Sequence, residues 1–256
     1  MQLAFSPDTP LVAAVQASPN HSERKGVSEP DIIVLHYTGM KSADAAAACL
    51  CDPVTEVSSH YLVFEDGRVL QMVPEARRAW HAGVSCWEGY SDINSRSIGI
   101  EIANPGHEFG YPPFPKTQIG AVTALCKDII ARHKIRADRV LAHSDIAPAR
   151  KQDPGEKFPW GQLHVAGVGH WLRPAPITNG ASLKRGVRGE KVFALQQQLE
   201  RYGYDIKING NYDRMTEEVV TAFQRHFRPA RVNGIADAST RITLRKLLAT
   251  RPIIAA

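Results

Sequence analysis

The sequence lacks any apolar run that approaches the roughly 20 residues needed to cross a membrane as a helix. Of its 256 residues 43% are hydrophobic and 22% charged, a composition that excludes an intrinsically disordered chain. We therefore predict a folded chain with no transmembrane segment. Residues 1–26 also lack the basic leader and longer apolar core of a secretory signal. The compartment stays open: periplasm or cell envelope if a signal has been removed, cytoplasm if the chain is complete as written.

Cysteine is scarce, with four residues in the whole chain. Cys49 and Cys51 are too close in sequence to bridge each other in ordinary geometry, and Cys86 and Cys126 would pair only if the fold brought them together. No C-x-x-C pair is present to indicate a cysteine zinc site. We predict four reduced thiols.

Clustered positive charge is also missing, although the formal net charge is +5. The basic residues are scattered along the chain and form no stripe of the kind that nucleic-acid-binding proteins present. We therefore expect no nucleic-acid partner. A polyanionic cell wall would suit the net charge equally well.

Strand and helix patterns alternate in the first two thirds of the chain. The runs "DIIVLHY", "SIGIEIAN" and "RVLAH" predict buried strands that deliver His36, Glu101 and His143 near their ends. The stretch "SSHYLVFEDGRVLQMVPE" predicts a hairpin. Apolar residues at helical spacing in 117–134 predict a core helix capped by Thr117. This alternation favours an α/β layer architecture.

The last third of the chain predicts a separate small domain. Residues 173–186 are rich in Pro, Gly and small polar residues, so we place a linker there. Three amphipathic helices are predicted beyond it, and two similar phrases, "INGNYDRMTEEVVTAF" and "VNGIADASTRITLRKL", each offer a threonine as a helix cap. The predicted division is an N-terminal extension (1–29), a catalytic domain (30–172), a linker (173–186) and a three-helix domain (187–256), with a core in each domain.

Residues with metal chemistry gather at the predicted strand ends. A zinc hydrolase needs three protein ligands and one open position for water. His143 and Asp153 supply two ligands, and His36 is the natural third because it also ends an apolar strand. Glu101 could take a proton from water, and Lys151 could stabilise an oxyanion.

Five motifs then reveal a resemblance: "IIVLHYTG", "VSSHYLVFEDG", "AWHAGVSCWEG", "SIGIEIAN" and "AHSDIAPARKQDPG". In this order they resemble the zinc-dependent N-acetylmuramoyl-L-alanine amidases of the type-2 family, and within it the AmiD-type bacterial enzymes. The resemblance covers about residues 30–172. The tail resembles a peptidoglycan-binding three-helix module.

The resemblance implies a mixed central β-sheet flanked by helices, and one Zn²⁺ per chain held by His36, His143 and Asp153. Glu101 falls on the family's catalytic acid, and Lys151 on the cation that supports the tetrahedral intermediate. The implied reaction is hydrolysis of the amide between the lactyl group of N-acetylmuramic acid, or its anhydro form, and L-alanine of the stem peptide. The implied partner is peptidoglycan or its muropeptide fragments.

Further residues in or beside these motifs are candidate substrate contacts, namely Tyr37, His60, Trp80, His81 and Asn104. For His60 and His81 a purely structural role is equally compatible with the sequence, and Trp80 has the character of a core residue. We expect Asp145 to turn its loop by accepting backbone hydrogen bonds. No role is assigned to His107, His133, His164, His170 or His226.

Three alternatives remain at this stage. Some animal peptidoglycan recognition proteins share the family fold without catalysis, but they typically lose a zinc ligand, whereas all three are present here. The recycling enzymes specific for the anhydro sugar carry arginine before "VSxH", where this chain has Glu56, which argues against strict anhydro specificity. The tail is either a wall anchor or a structural appendage. We expect a monomer.

Overall fold

The computed structural model describes residues 5–252 of the chain. The strands are β1 (Ala14–Val15), β2 (His21–Glu23), β3 (Ile32–Tyr37), β4 (Tyr61–Val63), β5 (Val69–Gln71), β6 (Arg77–Ala79), β7 (Ser97–Ile102) and β8 (Val140–Ala142). The helices are α1 (Ala43–Leu50), α2 (Ile93–Arg96), α3 (Lys116–His133), α4 (His143–Ile146), α5 (Trp160–Val165), α6 (Glu190–Tyr202), α7 (Arg214–Phe227) and α8 (Ala238–Thr250). Short 3-10 turns lie at Pro53–Thr55, His107–Phe109 and Ala137–Arg139.

Six strands form the central sheet in the order β1-β5-β4-β7-β3-β8, and β2 pairs with β6 in a separate ribbon. Strands β4 and β5 are the antiparallel hairpin predicted from the sequence, while β4, β7, β3 and β8 run parallel. The predicted α/β fold with a mixed central sheet is therefore confirmed. Parallel strands place their carboxyl ends at one edge of the sheet, which is where the candidate site lies.

Helices cover both faces of the sheet. On one face α3 buries Val122, Leu125 and Ile129 against β3, β7 and neighbouring elements, and on the hairpin side α1 packs small residues against β4 and β5. The prediction that Thr117 caps α3 is wrong. The helix begins at Lys116 after Pro115, and the Thr117 hydroxyl instead donates to the Glu65 carbonyl at 3.2 Å, which ties the helix to the hairpin turn.

The C-terminal region contains the three predicted helices, and its internal repeat is visible in two equivalent turns. The buried Gln196 accepts hydrogen bonds from the backbone of the first Asn-Gly turn, and the buried Gln224 does the same for the second. The threonines are not the caps. Asp213 and Asp237 cap α7 and α8 by accepting from the backbone N–H three residues on.

The predicted division into two separate cores is wrong in one respect, because one hydrophobic cluster spans both regions. Trp87 packs edge-on against Tyr202 and Tyr204 with ring centroids 6.3 and 5.0 Å apart. Gly203 makes this approach possible, since a Cβ there would lie 2.5 Å from the Trp87 ring. The cluster continues to Val34 on the central sheet. The helical region is therefore packed against the catalytic region as part of one body, and the predicted boundaries stay a prediction.

Two further expectations concern cysteines and membranes. All four cysteines are unpaired, as predicted. Among the helices described for residues 5–252, none combines the length and apolar character needed to cross a membrane.

Candidate active site

Three neighbouring strands end at the candidate site. In the parallel pairing of β3 with β7, His36 lies directly beside Glu101, and Leu35 of β3 pairs with Ala142 of β8. His143 immediately follows Ala142 and begins α4. Because parallel partners project their side chains on the same face, the sheet sets His36 and Glu101 next to each other before any loop is considered.

The loop after α4 brings a third candidate ligand, Asp153, to this edge of the sheet. The Ser144 N–H donates to the Asp153 carbonyl at 3.0 Å, which closes residues 144–153 into a compact loop. At its start, Asp145 accepts a hydrogen bond from the Ala142 N–H at 2.9 Å, as expected for a residue that turns the chain. The closed loop contains Lys151 and brings Asp153 against the two histidines.

Three ligand atoms converge on one point. His36 Nδ1 lies 2.9 Å from His143 Nδ1 and 3.2 Å from Asp153 Oδ2, and His143 Nδ1 lies 3.0 Å from the same Oδ2. Ligands about 2.0–2.1 Å from a tetrahedral zinc ion stand about 3.3 Å from one another, so this spacing fits zinc. The three residues are also the group in residues 5–252 whose donor atoms could hold a metal ion.

The outer ring nitrogen of His143 fixes its tautomer. His143 Nε2 lies 3.1 Å from the Ala82 carbonyl, which can only accept a hydrogen bond, so the proton sits on Nε2 and the Nδ1 lone pair is free. The Arg150 guanidinium donates to the same carbonyl and, from Nε, to the Val84 carbonyl at 2.8 Å. Arg150 thereby holds the backbone segment that orients the ligand.

A hydrogen-bond relay that runs from Ser97 through His81 fixes the tautomer of His36. The Ser97 hydroxyl donates to the Ile93 carbonyl at 2.7 Å, so it accepts from His81 Nε2 at 3.1 Å. His81 Nδ1 is then an acceptor for His36 Nε2–H at 3.0 Å, and His36 Nδ1 is left with its lone pair toward the ligand cluster. The relay thus gives His36, as the Ala82 carbonyl gives His143, the tautomer that can bind metal through Nδ1.

Strand β7 explains why this relay fits. Ser97, Gly99 and Glu101 project on one face of the strand, and His81 lies across them. A Cβ on Gly99 would stand 2.5 Å from the His81 ring, so glycine is required for the ring to reach Ser97. The motif "SIGIEIAN" thus places three residues at alternate positions. Ser97 hydrogen-bonds His81, Gly99 leaves room for the His81 ring, and Glu101 supplies the acid.

The electrostatics of the cluster favour a neutral His36 imidazole and an ionised Asp153 carboxylate. Burial, with the nearby His143, lowers the pKa of His36 to about 4. Burial, followed by the neighbouring His36 and His60, holds the pKa of His81 well below its ordinary value. Burial alone would raise the pKa of Asp153, but the charge and hydrogen bonds of His143 and His36 hold it well below its ordinary value. These are the protonation states that zinc ligands need.

Glu101 and Lys151 stand beside the ligand cluster without belonging to it. Burial raises the pKa of Glu101 well above its ordinary value, the Asp153 charge raises it further, and the Lys151 ammonium opposes both. Within residues 5–252 the buried Oε2 of Glu101 has no hydrogen-bond partner. An unpaired carboxylate oxygen of raised pKa is suited to receive a proton from a water molecule.

One rim of the cleft contains residues that the sequence analysis did not connect. The Tyr37 hydroxyl lies 3.0 Å from His107 Nδ1, and His107 stacks on Tyr111 with centroids 4.2 Å apart. His107 Nε2 in turn contacts the Glu156 carboxylate at 3.1 and 3.2 Å. Tyr37 is half-buried and stays a candidate substrate contact. No sequence signal singles out His107, because its partners come from three separate segments.

The structure does not place His60 or Asn104 where substrate could contact their side chains. His60 is fully buried, accepting from the Gly99 N–H at Nδ1 and lying 3.0 Å from the Arg77 carbonyl at Nε2. Asn104 accepts from Gly106 N–H and donates to the Pro112 carbonyl, which shapes the loop after β7. These contacts indicate structural roles for both side chains, and their contact with substrate stays a prediction.

Trp80 and His81 likewise make contacts within the protein, and their contact with substrate stays a prediction. Trp80 is half-buried and its Nε1 donates to the Ser22 hydroxyl of β2 at 3.3 Å, which ties the residue after β6 back to β2. His81 is engaged at both ring nitrogens by His36 and Ser97. Neither side chain offers a free polar atom to a substrate.

The helical region directly contacts the loop of residues 144–153, here called the metal-ligand loop because it carries the proposed ligand Asp153. Asp145, two residues after His143, is fully buried and accepts from the Tyr204 hydroxyl at 2.6 Å, while its other oxygen lies 2.6 Å from His226 Nδ1. The His226 ring also stacks on Trp160 with centroids 3.7 Å apart. Tyr204 and His226 were missed because long-range contacts between regions leave no local pattern.

Two protein-family models match the chain. Residues 26–156 match the family model described as N-acetylmuramoyl-L-alanine amidase, and residues 188–244 match a peptidoglycan binding domain model. The chain belongs to the N-acetylmuramoyl-L-alanine amidase family. The amidase match includes every residue of the ligand cluster together with Glu101 and Lys151.

One relative, known both by sequence and by solved structure, matches most of the chain. N-acetylmuramoyl-L-alanine amidase AmiD of Escherichia coli is 41% identical over 229 residues, covering 85% of this chain and 82% of that protein. The structure of Escherichia coli AmiD with its substrate anhydro-N-acetylmuramic acid-L-Ala-D-γ-Glu-L-Lys is 39% identical, with a TM-score of 0.74 over 90% of this chain and 93% of that one.

A second solved structure supports the same assignment. AmpDh3 of Pseudomonas aeruginosa, in complex with anhydromuramic pentapeptide, is 27% identical and has a TM-score of 0.73 over 98% of this chain and 100% of that one. The family, the fold class and the amidase function predicted from the sequence are therefore confirmed.

Proposed function

We propose that the amidase hydrolyses the amide that joins the lactyl group of N-acetylmuramic acid, or its anhydro form, to L-alanine of the stem peptide. The observation that carries this proposal is the His36, His143 and Asp153 cluster, with donor atoms 2.9–3.2 Å apart. Directly beside it lies Glu101, whose Oε2 has no hydrogen-bond partner within residues 5–252. The substrate named for Escherichia coli AmiD, in which L-alanine follows anhydro-N-acetylmuramic acid, contains the same linkage.

His36 and His143, through Nδ1, and Asp153, through Oδ2, would hold one zinc ion per chain. When bound, zinc supplies Lewis acidity, which polarises a carbonyl and makes water more acidic. Both imidazoles are oriented for this role by Nε2–H donation, to His81 and to the Ala82 carbonyl. His81 is thus proposed as a positioning residue in place of a substrate contact.

Glu101 is proposed to accept the proton of the attacking water and to pass it to the nitrogen of the departing L-alanine. Its raised pKa suits both halves of this transfer, because a carboxylate of ordinary pKa would hold the proton too weakly. The Lys151 ammonium acts to lower the pKa of both Glu101 and His36, which indicates that its charge reaches the centre of the cleft. We assign Lys151 to stabilisation of the oxyanion.

The helical region, proposed as residues 187–256 after a linker at 173–186, is assigned to holding the enzyme on polymeric peptidoglycan. The match of residues 188–244 to a peptidoglycan binding domain model supports this role. Sedimentation with purified sacculi tests it, using the full chain carrying Glu101→Gln so that the polymer stays intact. Retention of the variant in the supernatant at low salt would contradict wall binding.

The test of the amidase assignment is mass spectrometry of the products from a soluble muramyl peptide. We expect two products, the sugar with a free lactyl carboxylate and a peptide with a free L-alanine amine. The same analysis on intact sacculi would show whether polymer is also a substrate.

A further inference from the structure

A cavity of about 310 Å³ lies where the loop carrying Lys151 meets α7 of the helical region. The catalytic side contributes residues 148–152 and α7 contributes Glu218, Thr221 and Arg225. Glu218 is already paired with Arg214 at 2.7 Å. The cavity is therefore built jointly by the two regions and carries cationic groups that are not neutralised by Glu218.

Arg225 is a largely buried cation in this cavity, and its guanidinium makes few hydrogen bonds. Its side chain is only 18% exposed, and its Nη2 donates a single long hydrogen bond of 3.4 Å to Gln152 Oε1. Within residues 5–252, its buried Nε has no hydrogen-bond partner. A buried guanidinium with five donors normally finds more partners than this, which indicates that a ligand completes the set.

The neighbouring carboxylate of Glu156 does not accept a hydrogen bond from Arg225. Glu156 Oε2 lies 3.8 Å from Arg225 Nε, beyond hydrogen-bond distance, and is held instead by His107 at 3.1 Å. Burial lowers the pKa of Arg225 and the Glu156 charge only partly opposes this effect. Glu156 therefore contributes charge within ion-pair distance, but the guanidinium keeps hydrogen-bond donors that no described residue meets.

Arg225 lies next to the loop that carries Lys151 and Asp153, beside which the scissile bond is proposed to bind. Its partner Gln152 lies between Lys151 and Asp153, so the guanidinium stands at the edge of the proposed cleft. In the substrate named for Escherichia coli AmiD, L-alanine is followed by a γ-linked D-glutamate. A γ linkage leaves the α-carboxylate of that residue free, roughly 7 Å from the scissile carbonyl when two residues are extended.

We propose that Arg225 binds the free α-carboxylate of the second residue of the stem peptide. This inference rests on the proposed amidase function and adds to it a residue that determines specificity, supplied by the helical region. A guanidinium binds a carboxylate through two parallel hydrogen bonds, and Arg225 has both the donors and the burial for such a pair. The peptide would then leave the cleft past Lys151 and enter the cavity.

The test compares two soluble substrates that differ only at this carboxylate. One is the anhydro-muramyl tripeptide with γ-linked D-glutamate, and the other carries D-isoglutamine, in which the α-carboxylate is an amide. We expect the unmodified chain to have the higher kcat/KM on the glutamate substrate. Arg225→Ala should reduce that preference about tenfold or more, as expected for loss of a charge-assisted hydrogen bond. Arg225→Lys should retain part of it.

Arg231→Ala is the matched control, because Arg231 lies in the same region but is 52% exposed, and it should leave the preference unchanged. Zinc content and circular dichroism confirm that each variant is folded. An equal loss of Arg225→Ala on both substrates, or no loss on either, would overturn the assignment of Arg225. If the unmodified chain cleaved neither substrate, the amidase function itself would fail, which is a distinct outcome.

Discussion

Glu101 on β7 is the direct register partner of His36 on β3. This pairing places the proposed proton carrier beside a proposed metal ligand through the hydrogen bonds of the sheet, without depending on a mobile loop. A one-residue slip of β7 would turn Glu101 to the opposite face and bring a neutral side chain to the site. The alternation in "SIGIEIAN" therefore determines the chemistry as well as the fold.

The ligand cluster makes a direct prediction about metal. We expect the purified protein to hold about one zinc ion per chain, and a strong chelator to abolish activity until zinc is restored, because three donor atoms converge at 2.9–3.2 Å. Elemental analysis and rate measurements on the same sample test this. An active preparation without metal would contradict the assignment.

The role proposed for Glu101 separates metal binding from turnover. Glu101→Gln should retain zinc but reduce kcat about a hundredfold or more, the usual loss when a positioned acid or base is removed. Glu108→Gln is a suitable control, since Glu108 is exposed on a nearby loop. If Glu101→Gln kept its full rate with zinc bound, another group must carry the proton.

The His81 relay predicts a change in metal affinity. His81→Phe keeps the ring volume but removes the acceptor for His36 Nε2–H, so zinc affinity should fall about 10- to 100-fold. Competition with a chromogenic chelator measures this, and nitrogen NMR of the metal-free protein reports the tautomer of His36. His164→Gln, an exposed histidine, serves as the control. Unchanged affinity and tautomer would show that the relay does not position His36.

The contact between Tyr204 and Asp145 predicts that the helical region stabilises the metal-ligand loop. Tyr204→Phe leaves a buried carboxylate oxygen without its donor and should lower the free energy of unfolding by about 1.5–3 kcal/mol. Urea unfolding measures the loss, and a double-mutant cycle with Asp145→Asn isolates the pair. Additive effects of the two substitutions would indicate no direct coupling.

The shared core predicts that the two regions do not fold independently. A chain ending at Leu172 would expose Trp87 and the apolar cluster that continues through Tyr202 and Tyr204, so we expect loss of cooperative unfolding. Thermal unfolding monitored by circular dichroism tests this. A truncated chain that unfolds cooperatively and binds zinc would instead show that the catalytic region is self-sufficient.

Local sequence patterns were sufficient for the strands and for the residues at their ends. "DIIVLHY" and "SIGIEIAN" carry β-strand periodicity, so the sequence predicts which side chains arrive at the sheet edge. The start of a helix was harder to predict from the sequence. At α3 the helix begins directly after Pro115, and the Thr117 hydroxyl binds the Glu65 carbonyl instead of capping the helix. The roles of Tyr204, His226 and Arg225 could not be predicted, since each depends on how the helical region packs against a distant loop.

The most direct test of the central claim is hydrolysis of a soluble anhydro-muramyl tripeptide in water enriched in oxygen-18, with zinc present and after chelation. Hydrolysis of the lactyl amide forms a new carboxylate, so one heavy oxygen should appear on the sugar product and none on the peptide. The peptide should carry a free L-alanine amine, and both products should disappear when zinc is removed and return when it is restored. Label in the peptide, cleavage at another bond, or equal activity without zinc would contradict the account.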